Sequence, residues 1–166
     1  MKKLKGITRT LVCIGVFIAV AACESTDCPI NNIVYSTYGF YAATDEGESK
    51  IQVLDTLTIT AAGTDSILIN RLVRGSEVEL PVRYSAATAT PIFHFTDTTS
   101  RTRRDTIWID KENIPHYESP TCPASMFHHV TAVRWTRLLV DSVSIVNPNI
   151  NYNVSENFKI YFRSGN

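Results

Sequence analysis

The residues beyond position 23 alternate repeatedly between apolar and polar side chains, and this period of two limits the possible folds most strongly. Apolar residues take every second position in 157–163, namely Phe158, Ile160 and Phe162. The same holds in 77–84, where they are Val78, Leu80, Val82 and Tyr84. Successive side chains of a strand point to opposite faces, so each segment predicts a strand with one buried face. Pro81 offers no N–H to a neighbouring strand, which predicts a sheet edge for its segment.

The same pattern predicts about nine short strands in all. Their ranges are 33–42, 50–60, 66–72, 77–84, 91–97, 105–110, 127–135, 137–146 and 157–163. Turn-forming residues separate several of them, as in Asp45-Glu46-Gly47-Glu48 and Asn147-Pro148-Asn149. Short strands at this spacing are typical of a single antiparallel β-sandwich of the immunoglobulin-like kind, with a flattened barrel as the alternative. The fold class is therefore predicted to be all-β.

The first 22 residues have the composition of an export signal. Lys2, Lys3, Lys5 and Arg9 precede an uninterrupted apolar run at 11–22. A helix of this length extends about 18 Å, whereas the hydrocarbon core of a bilayer is about 30 Å thick. The run is therefore interpreted as part of a signal peptide and not as a membrane span.

The four residues Val20-Ala21-Ala22-Cys23 resemble the lipobox of bacterial lipoproteins. In that motif small residues allow cleavage directly before a cysteine whose sulfur carries lipid. The resemblance implies a signal peptide at 1–22, a lipid-anchored tether at 23–32 and one sandwich domain at 33–166. It also implies attachment to a membrane of the cell envelope, the outer membrane above all, on its periplasmic or surface face. The alternative is a plain secretory signal cut after Ala22, with no role for Cys23.

Removal of the signal leaves a mildly acidic protein. The mature chain keeps 12 Lys and Arg against 16 Asp and Glu, a net charge of −4. Nucleic acid is therefore not expected as a partner.

Two cysteines remain for a disulfide bond. Cys13 leaves with the signal and Cys23 is consumed by the lipid, so Cys28 and Cys122 form the one possible pair within the chain. An oxidising compartment favours that bond. The alternative is two thiols that are free or paired between molecules.

No residue pattern points to a metal site, a cofactor or catalysis. Neighbouring strand residues point to opposite faces, so His128 and His129 cannot bind one ion together, and His94 and His116 stand alone in the sequence. No serine lies on a glycine-flanked strand-to-helix turn. No two carboxylates are singled out as a pair for sugar hydrolysis. A non-catalytic protein is predicted, with an envelope hydrolase as the less favoured alternative.

Two segments are candidates for contact with a partner. Arg101, Arg103 and Arg104 predict a basic hairpin tip that binds phosphates or carboxylates, unless they form only a solvated loop. His94 and Trp108 each lie between two apolar residues, so they are expected to face away from the core. An outward tryptophan forms a flat platform for a sugar or a protein, unless a second layer buries it.

Five aspartates are followed by Ser or Thr and then by an aliphatic residue or Thr. This tripeptide resembles the short acceptor motif of the general protein O-glycosylation system of Bacteroidota. The resemblance implies glycosylation at one or more of five positions, which are Thr56, Ser66, Thr98, Thr106 and Ser142. The alternative is local, because Asp favours turns and Ser or Thr with β-branched neighbours begins strands.

Several features together resemble the small uncharacterised lipoproteins of Bacteroidota, a family of unknown function. They are the signal with Cys23, Cys28-Pro29, Leu80-Pro81-Val82 and Ser119-Pro120-Thr121-Cys122. The resemblance implies location and architecture but no substrate. The sequence thus predicts a lipid-anchored interaction or accessory module whose partner is an unidentified envelope protein or glycan. A carbohydrate-binding lipoprotein is the main alternative.

Overall fold

The structure, a computed structural model, describes residue 28 and residues 33–44, 47–51, 53 and 55–163. These residues contain no helix, and so none with the length and apolarity needed to cross a membrane. They form twelve strands, which are β1 (Tyr35–Thr44), β2 (Gly47–Lys50), β3 (Thr56–Ala61), β4 (Ile67–Leu72), β5 (Glu77–Pro81), β6 (Thr88–Ala89), β7 (Pro91–Thr96), β8 (Thr102–His116), β9 (Ser125–Trp135), β10 (Val140–Ile145), β11 (Asn149–Ile150) and β12 (Glu156–Phe162).

The strands form two packed sheets, which confirms the predicted all-β sandwich. The first sheet has the order β10-β12-β1-β2, and β5 pairs with the start of β1 on the β2 side. The second has the order β11-β9-β8-β7-β3-β4, and β6 pairs with β8. The described residues contain twelve strands where about nine were predicted, partly because β6 and β11 have two residues each and leave no alternation to detect.

One strand pair is parallel, which the sequence did not indicate. Strand β1 lies beside β12 with Tyr38 opposite Phe158 and Phe40 opposite Ile160. The two strands lie at opposite ends of the described chain, so no hairpin turn in the sequence predicts their pairing. All other pairs among the described strands are antiparallel. Strand β5 pairs with β1 alone, so the edge position predicted from Pro81 is confirmed.

Aromatic side chains from both sheets meet in the core. Tyr38 and Phe158 stack within the first sheet with ring centroids 4.9 Å apart. Tyr38 also meets Phe93 of the second sheet edge to face at 6.0 Å. All three side chains are at most 2% exposed. Buried aromatic pairs contribute beyond the area they bury, so this contact helps to hold the sheets together.

A disulfide bond ties the N-terminal segment to the sandwich. Cys28 is joined to Cys122, in the loop between β8 and β9, and their Cα atoms are 5.4 Å apart. That distance is ordinary for a disulfide and supports the predicted pairing. The signal peptide, Cys23 and the rest of the tether lie outside the described residues.

A buried carboxylate holds the chain where it passes from the second sheet to the first. Asp105 in β8 is 0% exposed. Its oxygens accept hydrogen bonds from Thr136 Oγ1 at 2.6 Å and from the backbone N–H groups of Leu138, Leu139 and Val140 at 2.9, 2.7 and 3.1 Å. The donors lie in and directly after the loop between β9 and β10. Four donors of one short segment thus share this single acceptor group, so the residue fixes the loop in place.

We predict that Asp105→Ala lowers the free energy of unfolding by about 3 kcal/mol, because buried N–H groups lose their acceptor. Urea unfolding of the mature chain measures the change. Asp141→Ala is the control, since the Asp141 side chain is 59% exposed and should cost less than about 1 kcal/mol. Equal losses in the two variants would contradict the role given to Asp105.

Candidate functional site

A pocket of about 370 Å³ opens between the two sheets. Its lining is mainly apolar and comes from the start of β1, from β4 and β5, and from the chain that follows β5. Representative lining residues are Ser36, Tyr38, Leu68, Leu80, Tyr84 and Ala89. Pockets of this size with apolar walls and few polar groups are the usual form of small-molecule sites.

The segment 82–90 explains why the sheets stay apart at this place. Val82 donates its N–H to the Val34 carbonyl beside the first sheet at 3.0 Å. Five residues later the Ala87 carbonyl accepts the N–H of Lys111 in the second sheet at 2.9 Å. The segment therefore crosses from one sheet to the other and becomes one wall of the pocket.

Two hydroxyl groups lie at the buried side of the pocket. Ser36 Oγ is 3.1 Å from the Tyr38 hydroxyl and 3.3 Å from the Leu80 carbonyl oxygen. Burial strongly raises the pKa of Tyr38, while the Ser36 hydrogen bond lowers it by less. The phenol therefore stays neutral at physiological pH. Arg83 is exposed and is the only charged residue among the described residues that line the pocket. The pocket thus offers apolar walls, a neutral hydroxyl pair and one cation.

A polar cluster of buried Lys111 and His128 and exposed Asn113 supports the crossing segment from behind. Lys111 Nζ donates to the Ala86 carbonyl at 2.9 Å and to Asn113 Oδ1 at 2.8 Å. Asn113 Nδ2 donates to the Tyr84 carbonyl at 2.7 Å, and His128 Nδ1 lies 2.9 Å from Asn113 Oδ1. Burial lowers the pKa of Lys111. Burial, and then the Lys111 charge, lower the pKa of His128 to about 4. The cluster holds two pocket-lining carbonyls in place.

Sequence reasoning missed the burial of Lys111, and that of Asp105, although a signal for both was present. Ile107 and Ile109 face the core, so the alternation within β8 also places Asp105 and Lys111 on the inner face. Both are indeed buried, at 0% and 5% exposure. A charged residue at an inward-facing position of a strand indicates a buried charge, and β8 has two such positions. The predicted strand ended at residue 110, one position before Lys111.

A second cluster covers the outer face of the first sheet. Tyr41 donates its hydroxyl to Glu156 at 3.1 Å, and Lys50 forms ion pairs with Glu77 and, at 3.8 Å, with Glu156. Burial and then the Glu156 contact raise the pKa of Tyr41. A Cβ atom at Gly39 would lie 1.9 Å from Glu156 Oε2, so the glycine makes room for this carboxylate. These groups bind one another, which makes the cluster a weaker ligand site than the pocket.

The predicted binding-face residues lie outside the pocket. His94 and Trp108 both sit on the outer side of the second sheet, as predicted, and both are half-buried. His94 Nε2 is 2.9 Å from Thr60 Oγ1, and burial, with a smaller contribution from Arg104, lowers the His94 pKa. The Arg134 guanidinium lies 5.9 Å from the centroid of the Trp108 ring. The tryptophan is therefore partly covered by its own sheet.

The three arginines of the predicted basic tip do not converge. Arg103 pairs with Asp55 at 3.4 Å. Arg104 is the next residue of the same strand and so points to the opposite face. Arg101 lies in the hairpin turn, where its backbone N–H donates to Asp97 Oδ1 at 3.0 Å. One phosphate or carboxylate group therefore does not meet all three guanidinium groups.

The histidines do not form a metal site among the described residues. His128 is buried, whereas His129 lies on the other side of β9 with Nδ1 2.8 Å from Asn149 Oδ1. His116 stacks on Phe127 with ring centroids 4.4 Å apart. In the described part of the chain, no group of three or more His, Cys, Asp or Glu side chains is placed to hold a metal ion.

The five candidate glycosylation positions differ in exposure. Ser66 and Thr98 are exposed in turns, whereas Thr56, Thr106 and Ser142 are half-buried in strands. Two of the preceding aspartates have structural roles of their own. Asp105 is the buried acceptor described above. Asp97 Oδ1 accepts the Thr99 N–H at 2.8 Å and closes the hairpin turn.

Comparison with known proteins identifies the family. No curated protein and no solved structure is significantly similar to the chain. A family model described as "Family of unknown function (DUF6452)" matches residues 56–162. The matched segment runs from the start of β3 to the end of β12 and contains the crossing segment, the polar cluster behind it and most of the core. The chain therefore belongs to the DUF6452 family, a family of unknown function.

Proposed function

We propose that this protein is a lipid-anchored, non-catalytic binding protein of the cell envelope, attached to the outer membrane, and that its pocket takes an amphiphilic ligand. The observation that carries the binding proposal is the apolar pocket of about 370 Å³ between the sheets. Apolar walls suit a hydrocarbon chain, and the hydroxyl pair or Arg83 suits a polar or anionic head.

The charges around the pocket favour binding over acid–base chemistry. Among the described residues that line it there is no Asp, Glu, His or Lys, and burial raises the pKa of Tyr38, which keeps that phenol neutral. General acid–base catalysis needs a titratable group within hydrogen-bond reach of the reacting atom. Trp108 does not line the pocket, and the Arg134 guanidinium lies over part of its ring, so the pocket supports the proposed binding better than that ring does.

The anchoring part of the proposal rests on the sequence. Residues 20–23 have the pattern of a lipobox, and a basic segment and a short apolar run precede them. The disulfide bond suits a chain that folds in an oxidising compartment outside the cytoplasm.

We predict that the mature chain without its lipid binds the fluorescent probe N-phenyl-1-naphthylamine and releases it to palmitate. Ala62 is exposed and lines the pocket, so Ala62→Trp should fill part of the cavity and weaken binding about tenfold or more. Ala132→Trp is the matched control, since Ala132 is exposed on β9 and does not line the pocket. Fluorescence titration measures both. Equal probe affinity in wild type and Ala62→Trp would rule out the pocket as the ligand site.

We predict that Cys23→Ala leaves an uncleaved precursor without lipid, because the peptidase of lipoproteins needs the modified cysteine. Mass spectrometry of the N-terminal peptide from native membranes measures the modification. Cys13→Ala is the control and should mature normally, since Cys13 lies within the apolar run of the signal. Normal maturation of the Cys23→Ala variant would overturn the anchor.

A further inference from the structure

We infer that one end of the sandwich rests on the lipid interface of the membrane that holds the anchor, an inference that depends on the proposed lipid at Cys23. This end, called the disulfide end, consists of the loops 82–90, 117–124 and 146–155. Tyrosine and aliphatic side chains of these loops and of the adjoining strand ends would contact the headgroup region.

Contacts with strands β8 and β9 place the three loops side by side. The Tyr84 carbonyl accepts a hydrogen bond from Asn113, near the end of β8 that leads into the loop 117–124. The Pro148 carbonyl accepts the Val130 N–H at 2.8 Å, which brings the third loop beside β9. Phe127, near the start of β9, packs against Tyr152 with ring centroids 5.0 Å apart.

Exposed apolar side chains concentrate at this end. The described residues include twelve large hydrophobic residues that are exposed. Nine of them lie in these loops or at the adjoining strand ends, namely Ile33, Tyr35, Tyr84, Ile114, Tyr117, Ile145, Val146, Tyr152 and Val154. Tyr84 and Tyr117 are each 64% exposed. Exposed apolar side chains gathered at one end of a domain favour a contact site there, and tyrosine is enriched where protein meets the membrane–water interface.

Charged residues are sparse at the same end. The three loops contain only Arg83 and Glu118. At the other end, the shorter loops 73–76, 97–101 and 136–139 contain four charged residues, namely Arg74, Asp97, Arg101 and Arg137. Burying charge in an interface is costly, so the disulfide end is the one that suits contact with lipid.

The short tether determines which end of the sandwich lies near the membrane. Cys28 follows the proposed lipid-bearing Cys23 by five positions, and five extended residues span at most about 17 Å. Cys28 is held at Cys122, within the loop 117–124. The membrane surface must therefore lie within about 17 Å of the disulfide end, whereas a free tether would allow any orientation.

The test uses the lipidated full mature protein in phosphatidylethanolamine and phosphatidylglycerol vesicles, with and without brominated phospholipid. Tyr117→Trp introduces a reporter at the disulfide end. Leu138→Trp is the matched control, since Leu138 is 61% exposed and lies in the loop at the other end. We expect brominated lipid to reduce the added emission of Tyr117→Trp at least twofold and to leave that of Leu138→Trp unchanged.

Flotation of the same samples separates the two possible failures. If the protein does not float with the vesicles, the proposed anchor is wrong and the inference falls with it. If it floats but Tyr117→Trp is quenched no more than Leu138→Trp, the anchor stands and the inference is overturned. A second copy of the chain could cover the disulfide end instead of lipid. In that case Tyr117→Trp would be protected from acrylamide but not quenched by brominated lipid, and cross-linking would give a dimer. This result would also overturn the inference.

Discussion

The bond between Cys28 and Cys122 is the constraint on which the rest of the arrangement depends. It joins residues 94 positions apart and fixes the chain just before β1 to the loop between β8 and β9. Strand β1 then enters the first sheet, where it pairs with β5, β2 and β12. The bond therefore ties the most connected strand of one sheet to the other sheet. It also leaves only a short tether between the domain and Cys23.

The pocket and the disulfide end share one segment. Residues 82–90 cross between the sheets, line the pocket and carry Tyr84 at the exposed surface. Lys111 and Asn113 hold this segment through the Ala86 and Tyr84 carbonyls. If the disulfide end rests on lipid, as we infer, the pocket lies beside the interface where amphiphiles are concentrated. The proposed ligand class and the proposed orientation thus support each other, while each has its own test.

Much of the fold followed from alternation along single strands, and the rest depended on contacts between distant segments. The inner positions of β12, Phe158 and Ile160, were visible in the sequence and are 0% exposed. The disulfide followed from counting cysteines. The parallel pairing of β1 with β12 has no local signal, since the two strands lie at opposite ends of the domain. The pocket was unpredictable for the same reason, because its walls come from β1, β4 and the segment 82–90. Asp105 and Lys111 were in register with the core residues of β8, but charged side chains are ordinarily expected to be exposed, so their burial was not predicted.

The most direct test of this account is the stability of the mature protein with and without the disulfide. For a separation of 94 residues, the loss of chain entropy in the unfolded state predicts a stabilisation of about 4–5 kcal/mol. Urea unfolding should therefore show a much lower midpoint for the double variant Cys28→Ser and Cys122→Ser, and for the wild type in reductant. The double variant itself should not respond to reductant. Equal midpoints, together with thiol labelling of both cysteines in the oxidised native protein, would contradict the account.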